Sequence, residues 1–108
     1  MLISFLGDSI TYGYMTQNEE NIYLRVASKL LNADYKVDAI SGTRYAKQKV
    51  SINPDFDLDF TIRVQNLDFN SDYIVFFGGT NDYLCWKEST PLGAYDSVDV
   101  KTFCGAYN

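Results

Sequence analysis

With 108 residues, 46% of them hydrophobic and 16% aromatic, the chain has apolar material for one globular domain and too few residues for two. Nine basic against fourteen acidic side chains give a formal charge of -5, which argues against nucleic acid and anionic membrane surfaces as partners and admits a neutral or cationic small substrate. No apolar run approaches the ~18 residues of a membrane span, no secretory leader pattern precedes Leu2, and Cys85 and Cys104 lack zinc-ligand spacing, so the expectation is a cytoplasmic chain with both cysteines as free thiols.

Leu2-Ile3-Ser4-Phe5-Leu6 is short, apolar and stopped by Gly7, so it reads as a buried strand that delivers Asp8-Ser9-Ile10-Thr11 at its carboxyl end. In open α/β sheets that is where ligands bind, which makes Ser9 a candidate nucleophile. Thr16-Gln17-Asn18-Glu19 has the form of a capping box, and a helix is expected from near Asn18. Ile22, Tyr23, Val26, Ala27, Leu30 and Leu31 form its apolar stripe, Arg25, Ser28 and Lys29 face water, and Asn32 stops it. Tyr35 to Ile40 alternates, with Tyr35, Val37 and Ala39 on one face, and reads as a half-covered outer strand parallel to the first.

Gly42 follows as a turn or close approach. Residues 44 to 56 carry no period and read as loop, after which Leu58 and Ile62, with Phe60, Val64 and Leu67, give a weaker helical stripe. Tyr73-Ile74-Val75-Phe76-Phe77 is uninterrupted and apolar, the pattern of a central strand buried on both faces. It ends in Gly78-Gly79-Thr80-Asn81-Asp82, a second polar turn that faces the Ser9 turn if the two strands are adjacent. From Tyr83 onward the chain reads as loop, with Phe103 to Tyr107 entering a helix.

Three blocks, Gly7-Asp8-Ser9-Ile10-Thr11, Gly42 and Gly78-Gly79-Thr80-Asn81-Asp82, in this order and each after its proper element, resemble the SGNH or GDSL hydrolases. The resemblance implies a flavodoxin-like three-layer α/β/α fold with a parallel sheet in the order 2-1-3-4-5, of which residues 1–108 supply the first three strands. It further implies a serine esterase, lipase or deacetylase that needs no cofactor or metal. Ser9 would be the nucleophile; the Ser9 and Gly42 N–H groups and the Asn81 amide would form the oxyanion hole. Asp8, Gly79 and Asp82 would support the turns, the two carboxylates each bracing its own. The family's Asp-x-x-His motif has no counterpart among these residues, which include no histidine. Without that base the Ser9 hydroxyl is a weak nucleophile, so the alternative expectation is a non-catalytic partial domain that binds an acyl or carbohydrate ligand or a complementary chain. Self-association through residues 73–77 belongs to the same expectation.

Two other patterns carry less. Asp57-x-Asp59-x-Thr61 resembles the nucleophile motif of haloacid-dehalogenase-type phosphatases but follows no buried strand, and a calcium loop starting at Asp55 fails because Phe60 stands where its glycine belongs. Trp86 either anchors its loop or lines a substrate pocket.

Overall fold

The computed structural model describes residues 1–47, 58–84 and 89–108. Strand β1, Leu2–Gly7, lies between β2, Asp34–Ala39, and β3, Tyr73–Phe77, and pairs with both in parallel, giving the order β2-β1-β3. Gly7 stands opposite Ala39 on one side and Phe77 on the other, so all three strands end level. The expected α/β architecture and the order of its first three strands are present. That order makes β1 the middle of the three strands, and the expectation it corrects is the burial of Tyr73–Phe77 on both faces. Among the described residues β3 pairs on one side only, and Tyr73, Phe76 and Phe77 are 61%, 43% and 44% exposed. An apolar run records which residues a strand offers, not how many neighbours it has.

One face of the sheet, Ile3, Phe5 and Val75, packs under the helix α2, Tyr23–Leu30, through Ile22, Tyr23 and Leu24. The other face, centred on Leu6, meets Tyr45, Phe60 of α3 (Phe60–Arg63), the 3₁₀ turn Val64–Asn66, and α5, Phe103–Tyr107. Helices on both faces of a parallel sheet make three layers.

Two helical readings need correction at their starts. Asn18 Oδ1 accepts the Glu20 N–H at 3.0 Å, but this cap opens only the 3₁₀ turn Glu19–Asn21; Ile22 is extended, and α2 is phased afresh from Tyr23. Leu24 and Ser28, one turn apart, therefore face the sheet, while Val26, Leu30 and Leu31 face water. Ser28, expected in solvent, is buried. The helix does stop at Asn32, which takes the left-handed conformation at φ 49°. Its N–H donates to Lys29 O at 3.2 Å and that of Ala33 to Ser28 O at 2.8 Å, the paired bonds of a Schellman ending.

In α3 the Asp59 carboxylate accepts the Thr61 N–H at 3.0 Å and the Thr61 hydroxyl, fixing the first turn at Phe60. That phase turns Phe60, Arg63, Val64 and Leu67 inward and leaves the expected stripe residues Leu58 and Ile62 exposed. Asp59 is thus a helix cap. Asp57, the part of the loop reading from 48 to 56, Cys85 and Trp86 lie outside the described residues.

Candidate active site

Because the strands end level, the segments after Gly7, Ala39 and Phe77 leave the sheet at the same end. Ser9 opens the one-turn helix α1, Ser9–Tyr12. The turn is this sharp because Gly7 has no Cβ: one there would overlap the Thr11 side chain, which folds back over the strand end. Asp8, fully buried, accepts the Ile10 N–H at 2.9 Å through Oδ1, while its Oδ2 has no partner among the described residues. Burial pushes the Asp8 carboxyl above its ordinary range, against the opposing pull of the Ile10 bond and of Arg63. Ser9 itself is half-buried, and its hydroxyl has no hydrogen-bond partner among the described residues.

Gly42 sits in the loop after β2 with φ 79°, a conformation that favours glycine. The next residue, Thr43, is fully buried and donates its hydroxyl to Ile40 O at 2.7 Å. Asn81 lies in the short helix α4, Thr80–Tyr83, which the chain enters through Gly79 at φ 108°. The Asn81 amide donates to Thr43 O at 2.8 Å, so the structure brings the Asn81 turn and the Gly42 loop into direct contact. An amide nitrogen carries two protons, and this bond uses one.

Asp82 does not brace its own turn. It is buried, and its Oδ2 and Oδ1 accept the N–H groups of Tyr45 and Ala46 at 2.9 and 3.1 Å, tying down the Gly42 loop from α4. The same loop inserts Tyr45 between Phe60 and Phe103, with ring centroids 4.3 and 5.3 Å away. Burial, with smaller contributions from Tyr107 and Asp82, pushes the Tyr45 hydroxyl up to about 12, so it stays a neutral phenol at physiological pH.

One residue of this region has no signature in the motifs. Arg63 is 3% exposed and donates to Gly7 O at 2.8 Å, Asp38 Oδ1 at 3.2 Å and Thr43 Oγ1 at 3.4 Å. Burial lowers its pKa, opposed chiefly by Asp38 and Asp59. The signal that finds it is the Asp59 cap, which places Arg63 on the same helical face as Phe60.

Beside α1 an open groove of about 440 Å³ runs along the outer strand, lined by Thr11, Tyr12, Ile22, Tyr35 and Val37 among others. Among the described residues no group of three or more His, Cys, Asp or Glu could hold a metal ion, Cys104 is a free thiol, and no helix is long and apolar enough to cross a membrane.

Residues 5–101 match the sequence profile of the GDSL-like lipase/acylhydrolase family. No curated protein matches the chain. Among solved structures, a crystal structure of 30% identity superposes with a TM-score of 0.75, covering 97% of this chain and 46% of the other. A protein from Lactobacillus plantarum, 28% identical, gives a TM-score of 0.69 over 96% of this chain and 44% of its own. A Bacteroides ovatus protein described as a GDSL-like lipase, 25% identical, gives 0.75 over 97% and 61%. The chain thus spans about half the length of these structures.

Proposed function

Because the chain belongs to the GDSL-like lipase/acylhydrolase family, we propose that it carries the nucleophile and oxyanion-hole part of a serine ester hydrolase acting on a small acyl ester. In this reading Ser9 Oγ attacks the ester carbonyl carbon. The oxygen that becomes negative accepts hydrogen bonds from the Ser9 and Gly42 N–H groups and from the second Asn81 amide proton. Collapse expels the alcohol and leaves an acyl-serine, which water then hydrolyses. The Ser9 proton passes to a base that none of the 108 residues supplies as histidine. Asp8, Gly79 and Asp82 act on backbone geometry and touch no substrate. The reaction calls for no cofactor. A reducing cytoplasm, with Cys104 as a thiol, is part of the same proposal.

The observation that supports this reading is the Asn81 amide bond to Thr43 O, which joins the Asn81 turn to the loop of Gly42 and uses one of the two amide protons. A second reading, a non-catalytic partial domain that binds an acyl or carbohydrate ligand or a complementary chain, is favoured by the absence of histidine. Labelling with a fluorophosphonate separates the two. The first expects slow, stoichiometric modification that peptide mapping places on Ser9 and that Ser9→Ala abolishes; an unmodified chain at millimolar reagent supports the second. Turnover of a nitrophenyl acetate by the chain alone is expected to stay near background, and rapid turnover lost in Ser9→Ala would mean that another group serves as base.

A further inference from the structure

We propose that Arg63 is a positioning residue that fixes the Gly42 loop against the nucleophile turn and so aims the Gly42 N–H at the oxyanion; this rests on the reading of Ser9, Gly42 and Asn81 given above. The β1–β2 ladder ends with the Ile40 N–H bond to Gly7 O at 3.2 Å. Beyond it, among the described residues, no hydrogen bond joins residues 8–13 to residues 40–46 directly. Arg63 adds a second tie between the end of β1 and the loop, farther along the loop than Ile40. Its Nη2 donates to Gly7 O, two residues before Ser9, and to Thr43 Oγ1, one residue after Gly42, while Nη1 holds Asp38 near the end of β2. A guanidinium is a planar fork whose donors keep fixed relative directions, so three acceptors bound to one fork are held at fixed spacing.

The polarity of the bonds agrees with this role. The Thr43 hydroxyl gives its proton to Ile40 O at 2.7 Å and keeps its lone pairs for Arg63, so donation runs from Arg63 through Thr43 to Ile40 without conflict. Asn81 donates to the Thr43 carbonyl, and Asp82 accepts the backbone N–H groups of Tyr45 and Ala46. The loop is therefore clamped by Asn81 and Asp82 of α4 and by Arg63 of α3, which also holds the end of β1. Without Arg63 the tie from β1 to the loop is reduced to the Ile40 N–H bond to Gly7 O, two residues before Gly42, and the spacing of Gly42 from Ser9 loosens. Misplacement of a reacting or stabilising group by about 1 Å lowers rates by as much as a hundredfold.

Two readouts test this on the full chain. The first is fluorophosphonate labelling of Ser9 resolved into reagent affinity and maximal rate. Arg63→Met and Thr43→Val are each expected to lower the maximal rate at least tenfold with affinity little changed, and Thr43→Ser, which keeps the hydroxyl, to restore it. The second is the NMR signals of the Gly42 N–H and the Asn81 side-chain amide, expected to shift in Arg63→Met and Thr43→Val and to return in Thr43→Ser. Thr43→Val leaves Arg63 with its other acceptors and so serves where Arg63→Met does not fold. Unchanged amide signals in a folded variant, or equal labelling rates, overturn the role of Arg63. A wild-type chain that the reagent never labels overturns the esterase reading instead, and the amide signals then still decide whether Arg63 holds the loop.

Discussion

Two buried carboxylates, Asp8 and Asp82, differ in how their oxygens are used, and the difference sets what each responds to. Both Asp82 oxygens accept backbone N–H groups, of Tyr45 and Ala46. Asp82→Ala strands two donors inside the protein and is expected to cost about 3 kcal/mol in urea unfolding, with Asp82→Asn costing less because it keeps one acceptor. Asp8 uses one oxygen and buries the other without a partner among the described residues, and its pKa is raised from the ordinary 3.8 by burial. A carboxyl whose pKa is higher folded than unfolded binds its proton more tightly in the native state. Its favourable contribution is complete below the unfolded value and declines as pH rises toward the folded one. Asp8→Asn keeps an oxygen for Ile10 and removes the titration, so its melting temperature relative to wild type should climb from about pH 4 and then level off; parallel curves at every pH would contradict this. At this scale the sequence shows which polar residues follow the strands: Asp8 and Ser9 in the turn after β1 and Asn81 in the turn after β3. Arg63 was not legible, because residue type assigns arginine to the surface and only the helix phase turns it inward.

Helix phase is set at the ends of elements, and there pattern reading was weakest. The strands were placed within a residue or two, since runs of apolar side chains bounded by glycine or polar turns leave little choice. The pattern locates the two helices after β1 and β2 but not their rotation, because an apolar stripe gives a period while a cap gives the starting angle. Asn18 and Asp59 each look like ordinary turn formers, yet one opens a 3₁₀ turn that ends before α2 and the other sets the buried face of α3. Substitutions at the ends should read accordingly. Asn32→Ala puts a Cβ-bearing residue without local side-chain bonding into the left-handed region and should cost about 1 kcal/mol. Gly78→Ala would bring a Cβ to 2.6 Å from Phe60 Cζ, and is expected to destabilise by about 2 kcal/mol in the same unfolding assay as the ring shifts toward Tyr45.

Over the whole molecule, the half-exposed aromatic side chains of β3 lie along a strand edge with no ladder partner among the described residues. We propose that this edge takes a further strand, from a complementary polypeptide or a second copy of this chain, since unpaired backbone on an apolar, proline-free segment is a template for pairing. For a second copy, sedimentation velocity should show association that rises with concentration and weakens in Phe76→Lys, and a monomer at every concentration would refute that form of the pairing. The clamp on the Gly42 loop has a consequence in time as well as space. Its anchors in α4, Asn81 and Asp82, follow residues 43–46 by 36 to 38 positions along the chain. At 5–20 residues per second a ribosome needs roughly two to seven seconds to cover that interval. During those seconds the first strand, the helix α2 and the second strand can already be in place, while the loop that would cradle the oxyanion waits for a piece of the chain not yet made.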